Sequence, residues 1–177
     1  MKRVYGLVGA SILFVSCAPA PPPAPAAPAT KVYSTLAQLM RGIPFPNSNI
    51  IFDTQSADPG APPAAEAGAG ATASQQFNAV YGGWQAVENA ALALSETANL
   101  LTVPGRMCEN GRPAPIDQAD FQMWAQGLAD AGQAAYKAAQ SKNLDAMVEV
   151  SGTVSDACAA CHEKYRDKED VKDRCIP

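Results

Sequence analysis

Histidine is nearly absent: His162 is the single one in 177 residues. No Ser/His/Asp array and no phosphate-cradling glycine loop accompanies it, so an enzyme reading has little support. Aromatics make up only 7% of a chain that is 47% hydrophobic. Alanine supplies much of that fraction, and such a chain suggests helices packed closely together. No basic stripe is present, which argues against a nucleic-acid partner. No two-residue alternation of apolar and polar residues survives anywhere, so no sheet is expected. There is no internal repeat, and no apolar run reaches the roughly 20 residues that span a bilayer. The formal charge is −4. Loss of Lys2 and Arg3 with a leader would leave 11 Lys+Arg against 17 Asp+Glu, or −6. A mildly acidic surface favours basic partners without identifying one.

Proline is not scarce, and its clusters mark the linkers. The chain opens with Lys2 and Arg3 and an apolar stretch from Val4 to Val15, as a secretory signal does. That stretch ends in "FVSC", which resembles the lipobox of bacterial lipoproteins. There a cysteine, here Cys17, is lipidated and becomes N-terminal. Ser16 fits the small position, and Phe14 stands where leucine is usual. The alternative is an ordinary signal cleaved slightly later, near Ala18 or Ala20. Residues Ala18 to Thr30 are nearly all Pro and Ala. They read as a polyproline II spacer that reaches on the order of 40 Å. The expected organisation is a signal over 1–16, a lipidated cysteine and tether over 17–31, and one domain over 32–177. The expected location is the periplasm or bacterial envelope, with a lipid anchor in the membrane.

From Val32 onward, apolar residues recur at helical spacing. Val32, Leu36, Leu39, Met40 and Ile43 form a first stripe. Pro44 and Pro46 predict a kink or break, with helix resuming near Asn47. A Pro/Gly/Ala loop over 56–74 follows. The second stripe runs from Phe77 to Leu101 and stops at Pro104 and Gly105. Asp117 looks like the N-cap of a third helix, with Asp120 in a loose capping box, and that stripe runs from Phe121 to about Gln140. A fourth stripe runs from Leu144 to Tyr165. Four such helices predict an all-α, antiparallel up-down-up-down bundle.

The fourth stripe carries "CAACH": Cys158, Cys161 and His162. C-x-x-C-H is the attachment signal for c-type haem. Two thiols form thioethers with the vinyl groups, and the adjacent imidazole swings beneath the iron. On a helix, positions 158, 161, 162 and 165 share one face. A thioredoxin-like reading wants the C-x-x-C at a helix N-terminus in a β-α-β setting. A structural zinc needs a fourth ligand, from Cys108 or Cys175. Neither alternative suits this spacing and helical context as well as haem does.

"CAACHEKYR" resembles the C-x-x-C-H-x-x-[YF]-R ending of the class II c-type cytochromes, the cytochrome c-prime and c-556 group. "LAQLMRGIPFPNSNIIFD" looks like the first helix of the c-556-like members, and "ANLLTVPGR" like the end of their second. The resemblance covers about Val32 to Arg166. It implies a four-helix bundle with one covalent haem c near the C-terminus of the last helix. Cys158 and Cys161 match the thioether cysteines, His162 the proximal iron ligand, and Arg166 the arginine that pairs with a propionate.

The sixth ligand separates two functions. Iron with one protein ligand binds gases, and iron with two mainly moves electrons. Met147 stands fifteen positions before His162 on the same helix, roughly 22 Å away. Met107 falls in a loop. Met40 and Met123 both lie about two turns into their helices, and residue spacing does not separate them. The resemblance favours Met40, which matches the first-helix methionine ligand of c-556-like members. The expectation is therefore a non-enzymatic one-electron carrier serving a redox partner protein. The alternative is a five-coordinate haem protein that binds nitric oxide or carbon monoxide. Relatives are often dimers, so the resemblance allows a homodimer. Cys108 and Cys175 lie beyond the ends of helices two and four, on one side of such a bundle. A disulfide between them is expected in an oxidising compartment, unless their Cα atoms lie too far apart to bridge.

Overall fold

The computed structural model describes residues 30–62 and 81–177. The signal segment, Cys17, most of the tether, much of the Pro/Gly/Ala loop and the Phe77–Val80 start of the second stripe lie outside the described residues. Every regular element among the described residues is helical: α1 Leu36–Gly42, α2 Pro44–Asp53, α3 Gly83–Leu101, α4 Ala119–Ser141, α5 Leu144–Tyr165 and a 3-10 turn Val171–Asp173. One isolated bridge, between Met107 and Pro113, is the sole β pairing among them. No helix among the described residues is long and apolar enough to cross a membrane.

The first stripe is two helices, and the second starts three residues earlier than the prolines suggested. Thr35 caps α1 through a reciprocal box with Gln38. The helix breaks at Ile43, and Pro44 takes the first position of α2. Proline is at home there, because the amide it lacks has no helical partner in the first turn. The break is thus made by the residue that opens the next helix. The start of α4 also differs from the expected one. Asp117 is not its cap; Gln118 holds that position without a side-chain bond. The Gln118 amide donates to the Pro115 carbonyl, 3.0 Å, so a turn carries the chain one residue further before the helix begins. Asp120, expected in a local box, reaches to α5 instead.

A two-residue turn joins α4 to α5. Lys142 takes a left-handed conformation (φ 53°), and Asn143 caps α5 by accepting from the Ala146 amide at 3.0 Å. The α3 and α4 helices meet closely across Ser95 and Gly132. Ser95 Oγ donates to the Ala129 carbonyl and accepts from Gln133, while Gly132 sits against Ala91. The first turn of α4 likewise meets the last turn of α5. Phe121, Ile51, Leu94, Met147 and Val154 are fully buried and join α2 through α5 in one core.

The loop after α3 ties the ends together. Arg106 is buried; its Nε donates to the Leu100 carbonyl (2.9 Å) and its Nη1 to the Ser34 carbonyl (2.8 Å). The Leu36 amide donates to the Met107 carbonyl at 2.8 Å. The start of α1, and so Met40 about a turn on, is laced to residues distant in sequence.

Candidate functional site

A cavity of about 560 Å³ opens between α1 and α2, the first half of α4 and the last third of α5. That size lies within the roughly 300–1,000 Å³ usual for small-molecule and cofactor sites. Its wall is mainly apolar: Leu36, Met40, Phe52, Phe121, Trp124 and Leu128 contribute. Cys158, Cys161, His162 and Arg166 line it as well. Helical spacing turns the first three to one face of α5, and Arg166 follows directly as the residue that ends the helix.

Among the described cysteines, Cys158 and Cys161 are free and partly buried. Cys108 and Cys175 are joined in a disulfide with Cα atoms 6.6 Å apart. That bond removes the fourth ligand a structural zinc at Cys158, Cys161 and His162 would have needed. Burial pushes the Cys158 thiol up. Burial, with the charge of Asp120 and the neighbouring Cys158, pushes Cys161 up to about 11. Both are therefore protonated thiols at neutral pH, unlike the low-pKa thiolate of a disulfide exchanger. His162 is pushed below its ordinary value, first by burial and then by the Arg166 charge, against an opposing pull from Asp167. Its imidazole is neutral at neutral pH and keeps a lone pair for a metal. A pair of free thiols beside a neutral imidazole, facing an apolar cavity, fits a covalently held haem.

The candidate sixth ligands separate by position. Met40 is half-buried on the cavity wall. Met123 is 61% exposed and does not line the cavity. Met147 is fully buried in the core away from it, and Met107 is exposed beside the disulfide loop. The rule that placed Met40 and Met123 at one level had no access to which way each faces.

Several groups at this site escape a linear reading. Asp120 accepts from Lys164 Nζ (2.5 Å), from the Tyr165 hydroxyl (2.7 Å) and from the Phe121 amide (2.8 Å). The Lys164 bond, then the Tyr165 bond, hold its carboxyl below the usual range. Tyr165 packs edge-on against Phe121 (5.6 Å) and Trp124 (5.9 Å). This cluster locks the haem-motif end of α5 to the start of α4. Arg166 lines the cavity and pairs with Asp167 at 2.6 Å. Glu109 accepts from Arg41 on α1 and from Arg174 in the tail. A charged residue in a loop or tail carries no periodic signal that would have marked it.

Residues 116–166 match the family model for Cytochrome C'. The cytochrome c' match takes in α4, α5 and CAACH, and ends at Arg166. It is under a third of the chain, and it leaves out Met40, Cys108, Arg174 and Cys175. No curated protein and no solved structure matches the chain.

Proposed function

We propose that this chain is a c-type cytochrome of the envelope, an up-down-up-down bundle carrying one electron on a single haem at the C-terminal end of α5. The observation that carries the reading is the convergence of Cys158, Cys161, His162 and Met40 on one apolar cavity. Cys158 and Cys161 would hold the macrocycle as thioethers. His162 would be the proximal ligand, and Met40 the sixth. When bound, haem with His/Met ligation supplies a one-electron couple at raised potential. The chain's own residues do the rest. Phe121, Trp124 and Leu128 keep water from the cavity wall, the Asp120–Tyr165 bond fixes the height of α5, and Arg166 offers a cation to a propionate.

Transfer of an electron needs neither a general base nor a nucleophile, and the proposal is non-enzymatic. A redox partner protein follows from that chemistry. The leader, with Cys17 as a lipid anchor and the Pro/Ala spacer as tether, supports an envelope location.

A second reading has one observation in its favour. The family match is to cytochrome c', and the resemblance to the c-prime branch implies a five-coordinate haem that binds nitric oxide or carbon monoxide. Optical spectra of the reduced protein, with and without carbon monoxide, separate the two. A low-spin spectrum unmoved by carbon monoxide is expected, and Met40→Ala should make it high-spin and responsive. Met123→Ala should change nothing. A high-spin, carbon-monoxide-sensitive native protein would sink the Met40 assignment and favour the second reading. The mass of the mature chain tests both covalent haem and lipid.

A further inference from the structure

Met40 sits on a helix that has little of its own to hold it. α1 is seven residues long, with Leu39 its one buried residue, and it packs chiefly on α2 beyond the break at Ile43. A helix that short is marginal by itself. Much of its anchorage comes from the loop between α3 and α4. That loop is closed on itself: the Cys108 amide donates to the Arg112 carbonyl (2.7 Å), and the Ala114 amide to the Arg106 carbonyl (2.9 Å).

The loop grips α1 at three points. The Met107 carbonyl accepts from the Leu36 amide, Arg106 Nη1 reaches the carbonyl (2.8 Å) and hydroxyl (3.2 Å) of Ser34, and Glu109 accepts from Arg41 at 3.1 Å. Its other side is fixed to α5. Cys108 is bonded to Cys175, whose amide donates to the carbonyl of Tyr165, three positions after His162. The loop therefore runs from the helix of one candidate iron ligand to the helix of the other. Cys108, Glu109 and Cys175 line the cavity between them.

Arg106 is the costly part of this strap. It is 5% exposed and makes no ion pair among the described residues; its donors go to carbonyls and a hydroxyl. Burying a cation without a carboxylate is expensive. What the rigid guanidinium does there is join two remote segments, Leu100 at the end of α3 and Ser34 just before α1, at a fixed separation.

We propose that the loop over 103–114, closed by the Cys108–Cys175 disulfide, positions Met40 opposite His162, with Arg106 as its positioning residue. The inference rests on the haem and Met40 reading above. While the loop holds α1, Met40 keeps the sixth position and the chain moves electrons. Once the loop is released, α1 gives up that position and a diatomic gas can take it. The choice between the two functions then lies in a segment outside both ligand helices.

Two readings of the full holoprotein test this: carbon monoxide uptake after reduction, and hydrogen exchange of the α1 amides, which needs no gas. Arg106→Met keeps most of the side chain's length and removes its donors. Hydrogen bonds from a charged group are each worth about a factor of ten or more, so the α1 amides should exchange about tenfold faster. Carbon monoxide uptake draws on the fraction of molecules with Met40 displaced, and should rise by about the same factor. Opening the disulfide, by Cys108→Ser with Cys175→Ser, should act in the same direction. Gly132→Ala loosens the opposite end of the layer and should do neither. An equal response in Gly132→Ala would reduce the effect to general loosening and overturn the proposal. Faster α1 exchange without carbon monoxide uptake, or an Arg106→Met protein silent in both readings, would do the same. Should Arg106→Met not fold, Glu109→Gln carries the test. It cuts the partly exposed Arg41 link, so about a twofold change in both readings is expected, and no change there counts against the proposal. A native protein that already takes up carbon monoxide would instead sink the Met40 reading, and this inference with it; absence of haem mass would sink the haem reading.

Discussion

The two ends of the α3–α4–α5 layer are built on opposite rules. Toward the Lys142 turn, α4 presents Ala131, Gly132, Ala135 and Ala139, all buried. Small side chains let α3 and α4 close until a Cβ on Gly132 would lie 2.5 Å from Ser95 Oγ and 2.8 Å from the Ala91 carbonyl. Toward the other end, the same helix presents Phe121 and Trp124, and α5 presents Cys158 and Cys161. There α1 and α2, broken at Ile43, stand off and leave the 560 Å³ cavity. One helix layer thus makes a dry seam and a room, and side-chain size along α4 decides where one becomes the other.

The largest stability change should come from the clasp at the cavity end. Cys108→Ser with Cys175→Ser opens a bond spanning 67 residues. Loop-closure entropy alone then gives a loss of about 4 kcal/mol. Denaturant unfolding of the apoprotein measures it, and a loss below about 1 kcal/mol would mean the seam alone holds the fold. Truncation compares the two ends directly. Met147→Ala in the sealed core should destabilise by about 2–5 kcal/mol. Met40→Ala, on the open wall, should change apoprotein stability by under about 1.5 kcal/mol, while altering the spectrum of the holoprotein. Similar stability losses would erase the distinction drawn between seam and room.

Glycine sharpens it further. Gly132→Ala gains about 1 kcal/mol of helix propensity but meets backbone atoms inside 3 Å. Overpacking of that kind costs about 1–3 kcal/mol. The clash should win, because a carbonyl cannot swing aside as a side chain can. Gly127→Ala on the same helix meets nothing within 4 Å and should stabilise by up to about 1 kcal/mol. Thermal melts of the pair, moving in opposite directions, check the contrast.

The smallest effect concerns pH. Lys164 and Tyr165 depress the Asp120 carboxyl in the folded state. The stabilisation is therefore present above the unfolded carboxylate value, about 3.9. It is lost as pH falls through the lower folded one. Asp120→Asn should flatten the acid limb of a stability–pH curve and leave the neutral region's slope alone. An unchanged acid limb would show that the bond holds no ionisation.

Much of this was legible in the chain. Helical stripes predicted α4 and α5 nearly to their ends and the stop of α3 at Leu101, because period and stop signals are local; α3 itself starts only at Gly83, after an extended Gly82. Met40 was reachable only through a family resemblance, since depth along a helix does not give the direction a side chain faces. The prolines marked the break, but Pro44 as a first helical residue was misjudged, because one residue both ends and begins a helix there. Arg106, Asn110, Glu109 and Arg174 were invisible. Each acts across more than sixty residues or from a loop, where no periodicity exists to read.

Residue type and spacing by themselves determined that the chain is helical and that two thiols and its one imidazole share a helical face. Those are consequences of 3.6 residues per turn. Tertiary structure alone decided that the face opens on a cavity, that Met40 rather than Met123 lines it, and that Arg174 arrives at its lip. Those depend on how far apart the helices stand and on bonds between remote segments. Packing sets both, and no local pattern encodes them.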